Sequence, residues 1–75
     1  MRFIEMTGQT LLRIINVEEM PVAELRKAGL TDDSIVRINL QGDIELRRQH
    51  RWDCIGGLLG DFNERVQRET GFDWT

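Results

Sequence analysis

Cysteine is nearly absent from this chain. Its 75 residues hold one, Cys54, so no internal disulfide can form. There is also one histidine, His50, and the two together fall short of a structural zinc site. No apolar run approaches the roughly 20 residues of a membrane-spanning helix. No basic stretch leads into such a run, so neither a spanning helix nor a secretory leader is expected and no membrane is counted among the partners. A lone free thiol suits a reducing compartment, which makes the cytoplasm the expected location. Excess positive charge is lacking too: 10 lysines and arginines stand against 13 acidic residues, for a net charge of −3. That is ordinary solubility rather than a nucleic-acid-binding tail. The spacings of a P-loop, a Rossmann turn and a zincin helix are all missing. Linkers, repeats and low-complexity segments are missing as well, so one domain over residues 1–75 is expected.

A domain of this size buries only about 60–65% of the surface its unfolded chain exposes, which leaves a stability of a few kcal/mol. With disulfide and metal excluded, self-association is the reinforcement left. A homodimer therefore stands beside a protein partner among the expectations.

The clearest pattern runs from Asp33 to Arg48. Val36, Ile38 and Leu40 alternate with Arg37 and Asn39, and Ile44 and Leu46 alternate with Glu45 and Arg47. A period of two on both sides of a glycine predicts a β-hairpin with one apolar face. Its register follows from arithmetic. Cross-strand partners share a face, and the apolar positions are even-numbered on both strands, so paired numbers must sum to an even total. A two-residue Gln41-Gly42 loop would set Leu40 against Asp43 and is rejected. Two three-residue loops remain. Leu40-Gln41-Gly42 pairs Ile38 with Ile44 and Val36 with Leu46, and puts glycine where a type I turn plus bulge needs φ > 0. Gln41-Gly42-Asp43 would force Asp43 into that conformation, and turn chemistry favours the first.

Upstream, Gly8 separates Arg2–Met6 from Thr10–Asn16, and the β-branched content predicts a first hairpin with strands at about 2–6 and 10–16. Pro21, followed by Val22 to Ala28 and then Gly29-Leu30, predicts a two-turn helix ended by a glycine cap. Downstream, Asp53 can cap a helix running to about Thr70. Ile55, Leu58, Leu59, Phe62 and Val66 would form its apolar stripe. The expected fold is α+β: a small antiparallel sheet of two hairpins, in the order β-β-α-β-β-α, with a C-terminal amphipathic helix packed on one face. The buried sheet face is expected to carry Val36, Ile38, Ile44 and Leu46 beneath Leu58, Leu59 and Phe62.

Catalytic groupings are thin. His50 lacks a carboxylate to orient it, and Cys54 lacks a base held within reach, so a Cys–His nucleophile is not supported. Glu18-Glu19 and Asp32-Asp33 read as a helix approach and a turn rather than a cation site. No catalytic residue, metal or cofactor is expected. The strongest candidate site is the basic run Arg47, Arg48, His50 and Arg51 beside Trp52. On an alternating strand Arg47 and Arg51 point one way and Arg48 and His50 the other. Arg37 should oppose Glu45, leaving Arg47, Arg51 and also Arg13 as a positive patch, with Trp52 as its apolar neighbour. The run also leads into Gly56, Gly57 and Gly60. They read as points of close packing for the expected helix, and anion binding at its N-terminus is the other reading. Trp52, Phe72 and Trp74 read either as core closure or as interface residues.

Met20-Pro21, Leu25-Arg26, Gly29-Leu30, the acidic turn Asp32-Asp33, and the hairpin with its bend at Gly42 resemble the swapped-hairpin AbrB/MazE type of bacterial transcription factor and antitoxin. The resemblance spans roughly residues 20–48 and implies a dimer that binds DNA. Two functional expectations follow. The first is a small intracellular protein–protein interaction or regulatory module, partnered by another protein or by itself. The alternative is a dimeric DNA-binding regulator or antitoxin of the swapped-hairpin type.

Overall fold

A computed structural model describes residues 2–16, 18 and 20–74. Four strands form one antiparallel sheet in the order β1-β2-β3-β4: β1 Phe3–Thr7, β2 Ile35–Asn39, β3 Asp43–Arg47 and β4 Trp52–Gly57. Among the described residues three helices accompany it: α1 Gly8–Ile14, α2 Val22–Lys27 and α3 Phe62–Thr70. The protein is thus α+β with an antiparallel sheet and a C-terminal helix.

The β2–β3 hairpin has the register that turn chemistry favours, with Val36 against Leu46, Arg37 against Glu45 and Ile38 against Ile44. Gly42 takes φ 90°, the left-handed conformation the loop requires. Asn39 fastens the turn. Its Oδ1 accepts from the backbone N–H of Gln41 and of Asp43, both at 3.0 Å. Leu40 is left out of the sheet and is 67% exposed.

The element order departs from two sequential hairpins. Residues 10–16 do not form a strand. Thr7 ends β1, and its Oγ1 accepts from the Thr10 N–H at 3.2 Å, which caps α1. Leu11, Ile14 and Ile15 are all buried, at the i, i+3, i+4 spacing of a helix stripe. β1 is therefore free to pair with β2, Ile4 opposite Ile38 and Met6 opposite Val36.

The second departure is at residues 52–57, which form β4 rather than the start of a long helix. Asp53 caps nothing there: it pairs with Leu46 in the sheet, and Arg48 donates to its carboxylate. Gly56 and Gly57 are strand residues, and the register shifts beside Glu45 so that Ile55 is the extra residue of a bulge. The helix begins only at Phe62, so Leu59 falls in the loop before it and is 67% exposed instead of buried.

α2 lies within its expected span, with Pro21 at the N-cap and Leu25 buried. Gly29 N–H donates to Arg26 O and Leu30 N–H to Leu25 O, both at 3.0 Å. That bonding pattern is a Schellman cap, with Leu30 buried beneath it.

The helices and Trp74 of the tail lie on one side of the sheet, and Phe72 lines a shallow hollow with Phe3, Ile4 and Glu5 at the β1 edge. Ile4, Met6, Val36, Ile38, Ile44 and Leu46 point into a single core shared with Leu11, Ile14, Leu25, Leu30, Leu58, Val66 and Trp74. Each such aliphatic side chain contributes about 1.5–3 kcal/mol by leaving water. Arg65 stitches the helix layer together, donating to Ile14 O at 2.7 Å and Leu59 O at 2.8 Å while Asp61 lies 3.1 Å from its Nε.

Candidate functional site: the open face of the sheet

No described element covers the other side of the sheet. The antiparallel register arranges its outward side chains in three rows. Phe3, Asn39, Asp43 and Gly57 form the first, and Glu5, Arg37, Glu45 and Cys54 the second. The third is Thr7, Ile35, Arg47 and Trp52.

Arg37 is the centre of this face. Its Nε donates to Glu45 Oε1 at 2.6 Å, and both side chains are 23% exposed. The guanidinium carbon lies 3.8 Å from the centroid of the Phe3 ring and 4.3 Å from that of the Trp52 ring. One cation is thus held by two aromatic rings from opposite edge strands and by a carboxylate from the strand between. Each ring contact of this kind is worth about 0.5–1 kcal/mol at a partly exposed site. The mutual contacts hold the four side chains in one arrangement, so a further contact made with them would cost little rotamer freedom. Next in the first row, Asn39 Nδ2 donates to Asp43 Oδ2 at 3.0 Å.

The candidate residues of the basic run are divided by the β3–β4 turn, which Arg48 N–H closes on Arg51 O at 2.7 Å. Residues 47–52 line one shallow hollow. Arg47 and Trp52 belong to the open face, as paired cross-strand neighbours. His50 and Arg51 are exposed at its rim, with Arg51 Nη1 3.8 Å from Asp53 Oδ1. Arg48 turns away from them. Its Nη2 donates to Asp53 Oδ2 at 2.9 Å and to Ala28 O at 2.6 Å. It thereby ties the turn to the C-terminal end of α2, where a cation meets the negative pole of the helix. Arg13 lies on α1, on the helical side of the sheet, and takes no part in the patch. The Arg37–Glu45 pairing is the one expected from the register; Phe3 and Glu5 are additions from β1, whose partner strand the sequence did not reveal.

The three aromatic positions read from the sequence as core closure or interface separate by role. Trp74 is core, Phe72 is 54% exposed, and Trp52 lies half-buried on the open face. Cys54 is exposed on β4 rather than at the start of a helix, with Gly56 O 3.7 Å from its Sγ. Cys54→Ser should shift the unfolding free energy by no more than about 0.5 kcal/mol. A larger loss in thermal unfolding would place the thiol inside a packed contact. Among the described residues, no cluster of three or more histidine, cysteine or acidic side chains could hold a metal. No helix among them is long and apolar enough to cross a membrane.

No protein-family model matches the chain, and comparison with curated proteins and with solved structures found no match either.

Proposed function

We propose that this chain is a small protein–protein interaction or regulatory module that binds through the open sheet face. The observation that carries the reading is the Phe3–Arg37–Trp52 stack on a face that no described element covers. An arginine and aromatic rings at the centre of a rigid surface are the residue types that dominate binding energy at protein interfaces. Apolar Ile35 adds area, and Arg47, His50 and Arg51 supply a basic rim suited to acidic side chains. A DNA partner would instead draw on that rim alone, since the rest of the face carries Glu5, Asp43 and Glu45 beside its arginines.

Site-specific photo-crosslinking tests the reading in the cell that makes the protein. A photoreactive side chain in place of Arg47 is expected to give adducts with protein. The same group in place of Lys27, on the helical side, is expected to give none at comparable yield. Adducts that disappear on nuclease treatment would establish the DNA-binding regulator instead. Equal yields from both positions would remove the open face as the site.

A further inference from the structure

The open face is complementary to itself, and we propose that its partner is a second copy of this chain, docked face to face about a two-fold axis parallel to the strands between β2 and β3. The proposal rests on the binding role of this face and adds the identity of the occupant.

Two polar pairs span the centre of the face in the same sense. Arg37 on β2 donates to Glu45 on β3, and Asn39 on β2 donates to Asp43 on β3. Each is a small dipole, with its donor end on β2 and its carboxylate on β3. Rotation about the proposed axis keeps the rows and exchanges β2 with β3 and β1 with β4. Arg37 then faces the partner's Glu45, and Asn39 faces the partner's Asp43. The dipoles of the two copies oppose each other, which is the attractive arrangement: Arg37 and Glu45 each meet the opposite charge, and the Asp43 carboxylate meets the Asn39 amide. Any displacement by one row breaks this match: Arg37 would then face the partner's Asp43 or the partner's Arg47.

Shape follows the same operation. Phe3 on β1 and Trp52 on β4 start from diagonally opposite corners of the face, and both rings lean inward onto Arg37. The two-fold sets the β1 corner at Phe3 over the partner's Gly57 and the β4 corner at Trp52 over the partner's Thr7, while the ring–guanidinium stacks of the two copies meet near the axis. Ile35 lies against the aliphatic stem of the partner's Arg47. An isologous interface of this kind needs one patch that fits itself, and packed sheets stand about 10 Å apart, which leaves one layer of side chains from each copy. Such a dimer also supplies the stability that a domain of this size lacks.

Gly57 offers a clean probe. A Cβ built there meets nothing closer than Gly42 O at 3.9 Å, so the isolated chain accepts a side chain at this position. In the dimer, that side chain would run into the β1 corner at the partner's Phe3. Sedimentation equilibrium of the wild type at micromolar concentration should give twice the 8.8 kDa mass of the chain. Gly57→Phe should keep the wild-type circular dichroism and weaken the dimer by about 100-fold, the scale of an overpacked contact.

The axis has its own readout. It brings Glu5 over the partner's Cys54, whereas the same two positions within one chain lie on opposite edges, about 14 Å apart across three strand spacings. Glu5→Cys treated with a short bis-maleimide should give a dimer linked from position 5 of one chain to position 54 of the other. A wild type that stays monomeric at hundreds of micromolar overturns the second copy as occupant. Adducts from position 47 to a different protein would in that case leave the binding role intact. A dimer that survives Gly57→Phe, or a link formed only within chains, overturns the proposed axis.

Discussion

Replacing Gly8 with alanine should cost about 3–5 kcal/mol, combining an overpacked contact with two disturbed backbone hydrogen bonds. Gly8 is buried where β1 passes directly into α1, and its φ is not in the left-handed region, so the constraint is space rather than conformation. A Cβ on Gly8 would lie 2.0 Å from Thr31 O, an atom of the backbone that cannot swing aside as a flexible side chain would. The same junction holds two hydrogen bonds, Gly8 N–H to Ser34 O at 2.8 Å and Gln9 N–H to Asp32 O at 3.0 Å. Relieving the clash stretches both. Gly57→Ala is the control, because its Cβ has room, and it should change stability by no more than about 0.5 kcal/mol. Urea unfolding of the two variants decides the matter: a Gly8→Ala midpoint equal to the wild type would mean that β1 and the 31–34 turn do not meet as described.

That junction also shows why the front of the fold was hard to read in the sequence. Leu11-Leu12-Arg13-Ile14-Ile15 satisfies a period of two on both faces and a period near 3.6 on one, so hydrophobic pattern alone leaves the choice open. Thr7 decides it by capping a helix, and β1 then takes as its partner a strand some 30 residues away. Nothing local in residues 3–7 names that partner. The β2–β3 hairpin was legible because its pairing is local and one residue of slip would turn every side chain to the wrong face.

The misreading at residues 53–60 had a visible warning. Ile55, Leu58 and Leu59 imitate a helix stripe, yet three glycines interrupt it, and each costs a helix up to about 1 kcal/mol relative to alanine. In a strand and its following loop they cost less and do more. Gly56 lies on the inner face toward Met20 and Leu25, Gly57 lies on the open face, and Gly60 takes φ 68°. The candidate site inherits both outcomes. Arg37 opposite Glu45 followed from the local register, and Arg47 and Trp52 lie on the open face. Phe3 joins them only through the long-range β1–β2 pairing, and Arg48 leaves them because Asp53, freed from capping a helix, is its partner in the β3–β4 turn.

Trp74→Ala is expected to be the other severe substitution, with a loss of about 3–5 kcal/mol. Trp74 is 9% exposed and closes the core from the segment after α3. Its indole N–H donates to the carbonyl of Ile38, on a central strand, at 2.9 Å. Its ring meets Phe62 edge-on, with centroids 5.9 Å apart and planes at 78°. The preferred geometry of aromatic pairs is of this kind, and it adds about 0.5–1.5 kcal/mol beyond the buried area. Alanine removes the area, the ring contact and the hydrogen bond together. Trp74→Phe separates them, because it retains most of the apolar contact and deletes only the donor, so it should cost about 1–2 kcal/mol. The order wild type, Phe, Ala in chemical unfolding therefore measures how the lid works. Both variants leave Trp52 as the sole indole, so fluorescence at the same time reports whether the Phe3–Arg37–Trp52 stack on the opposite face of the sheet survives. If Trp74→Ala unfolded with the wild-type midpoint, the tail would not be part of the core. If Trp74→Phe were as damaging as alanine, the hydrogen bond to Ile38 rather than the buried ring would be what holds the tail in place.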